Sequence, residues 1–136
     1  MMEADELSAG RSWASASLRI ASETMTPDAI GELLHLRASS TRSAEGDPAF
    51  SVWMLDSGLD PSAAVEDHLY ILIERLSECH EALRTLTETA AVEVWLSLSP
   101  GPRHRSAVID HRCLAAFADL GIDLVLDLYP QGKPAR

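Results

Sequence analysis

Bases are scarce in this chain: 11 lysines and arginines stand against 21 aspartates and glutamates over 136 residues, a formal charge of -10 at pH 7. Proteins that grip a phosphate backbone draw affinity from Lys and Arg that displace counterions. Nucleic acid is therefore not expected as a partner. Cysteine is nearly missing as well. Cys79 and Cys113 lack CxxC spacing and fall on the apolar side of predicted helices, where a thiol behaves as a small hydrophobe, so no disulfide is expected. No apolar run approaches the ~18 residues that span a bilayer, and the opening MMEADELSAG is acidic with no apolar core of a signal peptide. A cytoplasmic protein without membrane contact is the expectation. GxSxG, P-loop, GxGxxG and HExxH patterns are all missing too. No catalytic residue and no cofactor can be assigned, although these gaps lower the case for an enzyme without removing it.

What is present fits one domain. The length suits a single core that needs no disulfide or metal, and 46% apolar with 24% charged residues is ordinary for a globular protein. Residues 1–12 and 130–136 are polar and rich in breakers, so they are expected to be loose ends around a domain spanning 13–129.

Alternation marks four strands. In WASASLRI, Ala14, Ala16, Leu18 and Ile20 share one face, and Trp13, Ser15, Ser17 and Arg19 the other. FSVWMLDS is read with Phe50, Val52 and Met54 inward and Ser51, Trp53 and Leu55 outward. AVEVWLSL places Val92, Val94, Leu96 and Leu98 inward, and IDLVLDLY does the same with Ile122, Leu124, Leu126 and Leu128. Thr26-Pro27 predicts a helix start, with Ile30, Leu33 and Leu34 as its apolar stripe. Asp60-Pro61 repeats the signal, and Val65, Leu69, Leu72, Leu76, Cys79, Leu83 and Leu86 predict one long middle helix. Ser106 is read as the cap of a last helix that Gly121 ends.

The order is thus β-α-β-α-β-α-β. Strands buried on both sides read as continuous apolar runs, whereas these alternate. The expected fold is a two-layer α+β domain with a largely antiparallel four-stranded sheet and helices on one face. The segments 13–57 and 90–129 look like a strand-helix-strand pair around the middle helix.

Several further pieces occur in one order along the chain: Leu18-Arg19-Ile20, Thr26-Pro27-Asp28, the Thr41-Arg42-Ser43 loop with Gly46-Asp47 beyond it, and Trp53. They continue through Glu66-Asp67-His68-Leu69, Glu74-Arg75-Leu76, Leu120-Gly121-Ile122-Asp123-Leu124 and Asp127-Leu128-Tyr129. Together these resemble the DUF4279 family. The resemblance implies a small bacterial α+β domain and little more, because that family is named for having no assigned function. Two departures stand out: Glu45 replaces a lysine common before the Gly-Asp pair, and residues 100–105, PGPRHR, replace a glycine-rich stretch.

Histidines 35, 68, 80, 104 and 111 invite a metal reading. However, His111 and Cys113 lie about 200° apart around a helix and cannot share an ion, so no metal site is expected. Asp123 and Asp127 are roughly 13 Å apart along a strand, beyond the span of about 5 to 9.5 Å of a general acid/base pair.

Two candidate sites remain. On the assigned faces, Trp13, Arg19, Trp53, Trp95, Asp123 and Asp127 all point away from the helices. Tryptophan and arginine are enriched at interface hot spots, so this face is expected to bind a protein partner or a second copy of the chain. With the acids Glu66, Asp67, Glu74, Glu78, Glu81 and Glu88 along the middle helix, the partner could be a basic protein, as for an inhibitor or immunity protein. The alternative is a small-molecule or anion sensor, or a cryptic enzyme, built on Thr41, Arg42 and Ser43, with Arg19 as a further candidate for the pocket. Arg42 would grip the anion, unless Glu45 pairs with it.

Overall fold

The computed structural model describes residues 12–101 and 106–129. The ends expected to be loose lie outside these residues except for Ser12, as does the basic Arg103-His104-Arg105 cluster. Among the described residues the chain forms five strands and four helices: β1 (Trp13–Ser22), α1 (Pro27–Leu34), β2 (Ser40–Glu45), β3 (Phe50–Asp56), α2 (Val65–Ser77), α3 (His80–Thr87), β4 (Ala91–Ser99), α4 (His111–Leu120) and β5 (Asp123–Leu128). The α+β class is as expected, but the sheet has five strands, ordered β2-β3-β1-β4-β5, and is mixed.

Two differences from the expected sheet have simple causes. Residues 40–45, read as a loop, form an edge strand whose residues are all exposed, so no apolar alternation advertises it. It returns into β3 through a turn in which Gly46 adopts φ +91°, a conformation that glycine adopts without steric cost. β5 pairs parallel to β4 because α4 carries the chain back across the sheet between them, the connection a parallel pair requires. In the first half, the β2–β3 hairpin reverses the chain and makes β3 antiparallel to β1. The two strand-helix-strand segments are therefore not equivalent.

Thr26 caps α1 as its position predicts: its hydroxyl accepts the Ala29 amide at 3.1 Å, and Pro27 occupies the first turn. Asp60 does not cap the next helix. Its carboxylate holds the Ser62 amide and hydroxyl at 2.8 and 2.7 Å in a separate turn, and α2 begins four residues beyond Pro61, at Val65. The apolar stripe is as read, with Leu69, Leu72, Leu76, Cys79, Leu83 and Leu86 all buried, but the helix is broken. The Ser77 hydroxyl donates to the Glu74 carbonyl at 2.7 Å, and the Cys79 amide closes a tight three-residue turn onto Leu76, which ends α2. The bend lets α3 follow the sheet, where it packs on β4 while α2 crosses β1.

The last helix likewise starts later than read. Asp110, not Ser106, accepts the Cys113 amide at 2.9 Å, and Gly121 ends the helix in the left-handed region at φ +72°. Asp110 also accepts a short hydrogen bond from the Tyr70 hydroxyl, which ties α2 to α4. That bond pushes the Tyr70 phenol up to about 12 and draws the Asp110 carboxyl below its ordinary range.

All four helices contribute to one core with the β1 residues Ala16, Leu18 and Ile20 and the β4 residues Val92, Val94 and Leu96. The β3 residues in that core are Trp53 and Leu55, which reverses the faces expected for this strand. FSVWML is apolar on both parities, so alternation cannot choose between them. Pairing chooses: Trp53 stands opposite Ile20 and Leu55 opposite Leu18, on the face the helices cover. Gly31 of α1 makes room for the indole, since a Cβ there would lie 3.4 Å from Trp53 Nε1 and 3.2 Å from the Leu36 carbonyl. The expected inward row of β5 is only half covered, and Leu126 and Leu128 remain exposed.

Candidate functional site

The sheet face turned away from the helices carries the candidate chemistry. The register reads as rows across it. Arg42, Val52, Ala21 and Ala91 form one row; Ser40, Met54, Arg19, Glu93 and Asp123 the next; Asp56, Ser17, Trp95 and Val125 a third; Ser15, Ser97 and Asp127 a fourth. Each row mixes strands far apart in sequence.

Arg19 lies at the centre. Its guanidinium carbon sits 5.3 Å from the centre of the Trp95 ring, a cation–π contact. Glu93 stands directly opposite Arg19 in the pairing, yet it does not neutralise it. The Glu93 carboxylate accepts the Trp95 indole N–H at 3.2 Å instead, and Arg19 has no ion pair among the described residues. Trp95 is thus held at its edge by a carboxylate and presents its face to a cation that makes no side-chain hydrogen bond among the described residues.

Beside this pair runs an open groove of about 450 Å³, within the size range of small-molecule sites. Arg19, Trp95, Ser17, Asp56, Asp127 and Tyr129 are among the residues that line it. The Tyr129 hydroxyl donates to Asp127 at 3.0 Å, and that bond raises its pKa. Tyr129 in turn packs on Trp13, whose ring lies 5.1 Å from its own and is tilted by 49°.

The expected sites are thereby rearranged. Arg19, Trp95 and Asp127 share the groove; Trp13 does not line it and lies buried against Tyr129; Asp123 is exposed on the same face at the sheet edge. Trp53 is not on this face, for the pairing reason given above, and cannot contribute to a surface there. From the Thr41-Arg42-Ser43 stretch, Arg42 falls on the same face as Arg19 and the two line one hollow of about 210 Å³ with Ser40, Val52 and Met54. Thr41 pairs with Trp53, and Ser43 sits where the β2–β3 register shifts, between Arg42 and Glu45. The shift places Glu45 opposite Phe50, and no Arg42–Glu45 ion pair forms.

One polar pair has no counterpart in the sequence reading. The Ser57 hydroxyl and His68 Nδ1 share a hydrogen bond of 2.6 Å across buried surface. The other ring nitrogen of His68 is buried without a partner. Burial holds the imidazole below its ordinary pKa, against the pull of Asp67 and Asp60. A histidine in a helical stripe reads as one more stripe position, so only the fold reveals the pair. Ser57 also lines the groove, but a nucleophilic serine needs a base oriented by a third group, and no side chain among the described residues hydrogen-bonds the second nitrogen of this ring.

No group of three or more His, Cys, Asp or Glu side chains among the described residues is placed to hold a metal ion. No helix among them is long and apolar enough to cross a membrane.

The family model of DUF4279, described as a domain of unknown function, matches residues 11–131. No curated protein and no solved structure matches the chain.

Proposed function

The chain belongs to the DUF4279 family, and from that premise we propose that it is a binding domain without catalytic activity, whose helix-free sheet face takes a small molecule bearing an anionic group. The observation that carries the reading is Arg19, stacked on Trp95 and left unneutralised beside a carboxylate that is committed to the indole. A planar guanidinium so placed offers two parallel N–H donors to a carboxylate or phosphate. The Trp95 ring and the Asp127–Tyr129 pair supply apolar and polar walls for the rest of the molecule.

A thermal-shift series with inorganic phosphate, acetate and succinate tests it. At least one anion should raise the melting temperature of the native chain and leave Arg19→Ala unmoved. An equal rise in both proteins removes the reading.

A basic protein partner is the second reading, favoured by the exposure of Asp67, Glu74, Glu78, Glu81 and Glu88 on the outer helix layer. Such a partner would suit an inhibitor or immunity role. Its test is capture of a basic protein encoded beside this one at low salt, lost on Glu74→Lys with Glu81→Lys.

A further inference from the structure

The groove is not the only space that Arg19 borders. On its other side, Arg19 and Arg42 line the hollow over Val52 and Met54. Arg19 pairs with Met54 and Arg42 with Val52, so the two arginines flank β3 from either side and stand two residues apart along it. Two strand spacings and two residue rises separate their Cα atoms by about 12 Å, a distance that two long side chains close from opposite ends onto one group between them. Neither guanidinium has an ion pair or a side-chain hydrogen bond among the described residues. The acids nearest them leave both uncompensated: Glu93 is engaged by the Trp95 indole, and Glu45, which the register shift places opposite Phe50 on the same face as Arg42, makes no ion pair with it.

Two unneutralised arginines over one small hollow repel each other, and in a chain of charge -10 acids to quench them are not in short supply. We infer that Arg19 and Arg42 form a clamp for a dianionic group, a phosphate monoester or a dicarboxylate, with Ser40 at its rim. Each guanidinium takes one pair of oxygens, and together they balance two negative charges where a single arginine balances one. Val52 and Met54 form an apolar floor that excludes water beneath the ligand and strengthens both contacts. The inference rests on the proposed role of Arg19 and adds the ligand class and the second anchor.

Isothermal titration with inorganic phosphate, succinate and acetate separates the two ideas. For the native chain, phosphate or succinate should bind at least about tenfold more tightly than acetate, and binding should weaken as salt rises. Arg42→Ala, exposed on an edge strand and harmless to the core, should lose about tenfold or more for the dianion while acetate affinity stays. Arg42→Lys should fall between, since a single ammonium cannot hold two oxygens in a fixed fork. If Arg42→Ala binds the dianion as the native chain does while Arg19→Ala does not, the clamp is overturned and the role of Arg19 stands. If the native chain binds none of the three, both fall.

Discussion

The guanidinium of Arg19 lies 5.3 Å from the centre of the Trp95 ring, on the face of the sheet opposite the four helices of the described residues. The two residues are 76 positions apart in the chain. They meet because Ser17 pairs with Trp95 and Arg19 with Glu93, which puts the arginine one row away from the indole. A cation over an aromatic face at a partly exposed site contributes about 0.5–1 kcal/mol. A double-mutant cycle of Arg19→Ala and Trp95→Leu, read by urea denaturation, should return a coupling energy of that size. Additive single effects would mean that the stacking contributes nothing.

Trp53 behaves differently from Trp95, because it is 1% exposed and packed in the core. Removing a buried aromatic costs about 3–5 kcal/mol. Trp53→Ala should therefore lower the denaturation midpoint severely, and Trp53→Phe should lower it less. The molecular mass by light scattering should be the same for Trp53→Phe as for the native chain. A change of oligomeric state with unchanged stability would instead assign this residue to an interface.

His68 makes stability depend on pH. Burial lowers its folded pKa, so the unfolded chain takes up the proton first as pH falls. The neutral ring contributes stability that is complete above the unfolded value of about 6.5 and is lost below it, by at most about 1.4 kcal/mol per pH unit, until the folded pKa is passed. Between pH 7.5 and 5.0 the native urea midpoint should fall, and that of His68→Gln should fall much less. Parallel declines would show that other groups carry the pH dependence.

Asp110 has two tasks, as cap of α4 and as acceptor for Tyr70. Melting temperatures should rank native, then Tyr70→Phe, then Asp110→Ala, because the last change removes both bonds and the second only one. The Tyr70 phenol, pushed up to about 12 from an ordinary value near 10, gives stability that is present below pH 10 and lost as pH rises toward 12. Its absorbance titration should lie well above that of free tyrosine in the native chain and return toward it in Asp110→Asn, whose side chain is uncharged.

Much of this architecture can be read from one-dimensional pattern. The Thr26-Pro27 start of α1, the Gly121 stop of α4, the inward rows of β1 and β4 and the buried stripe from Leu69 to Leu86 are all local in origin. Each follows from a periodicity or a cap whose physical cause lies within a few residues. The break at Glu78–Cys79 and the strand at Ser40–Glu45 escape such reading. The stripe continues in phase through the first, and the second is a polar edge strand whose only support is its neighbour.

The sequence by itself determined the family, the α+β class and two faces for almost every strand. Only the tertiary structure decided which face of β3 is inward. Alternation has a period of two and no sign where both parities are apolar, as in FSVWML, so the side taken by Trp53 follows from its pairing with Ile20. The same pairing brings Arg19 and Arg42 to one hollow. Their meeting depends on strand order and register, which are set by the burial of the whole sheet against its helices and by no short stretch of chain.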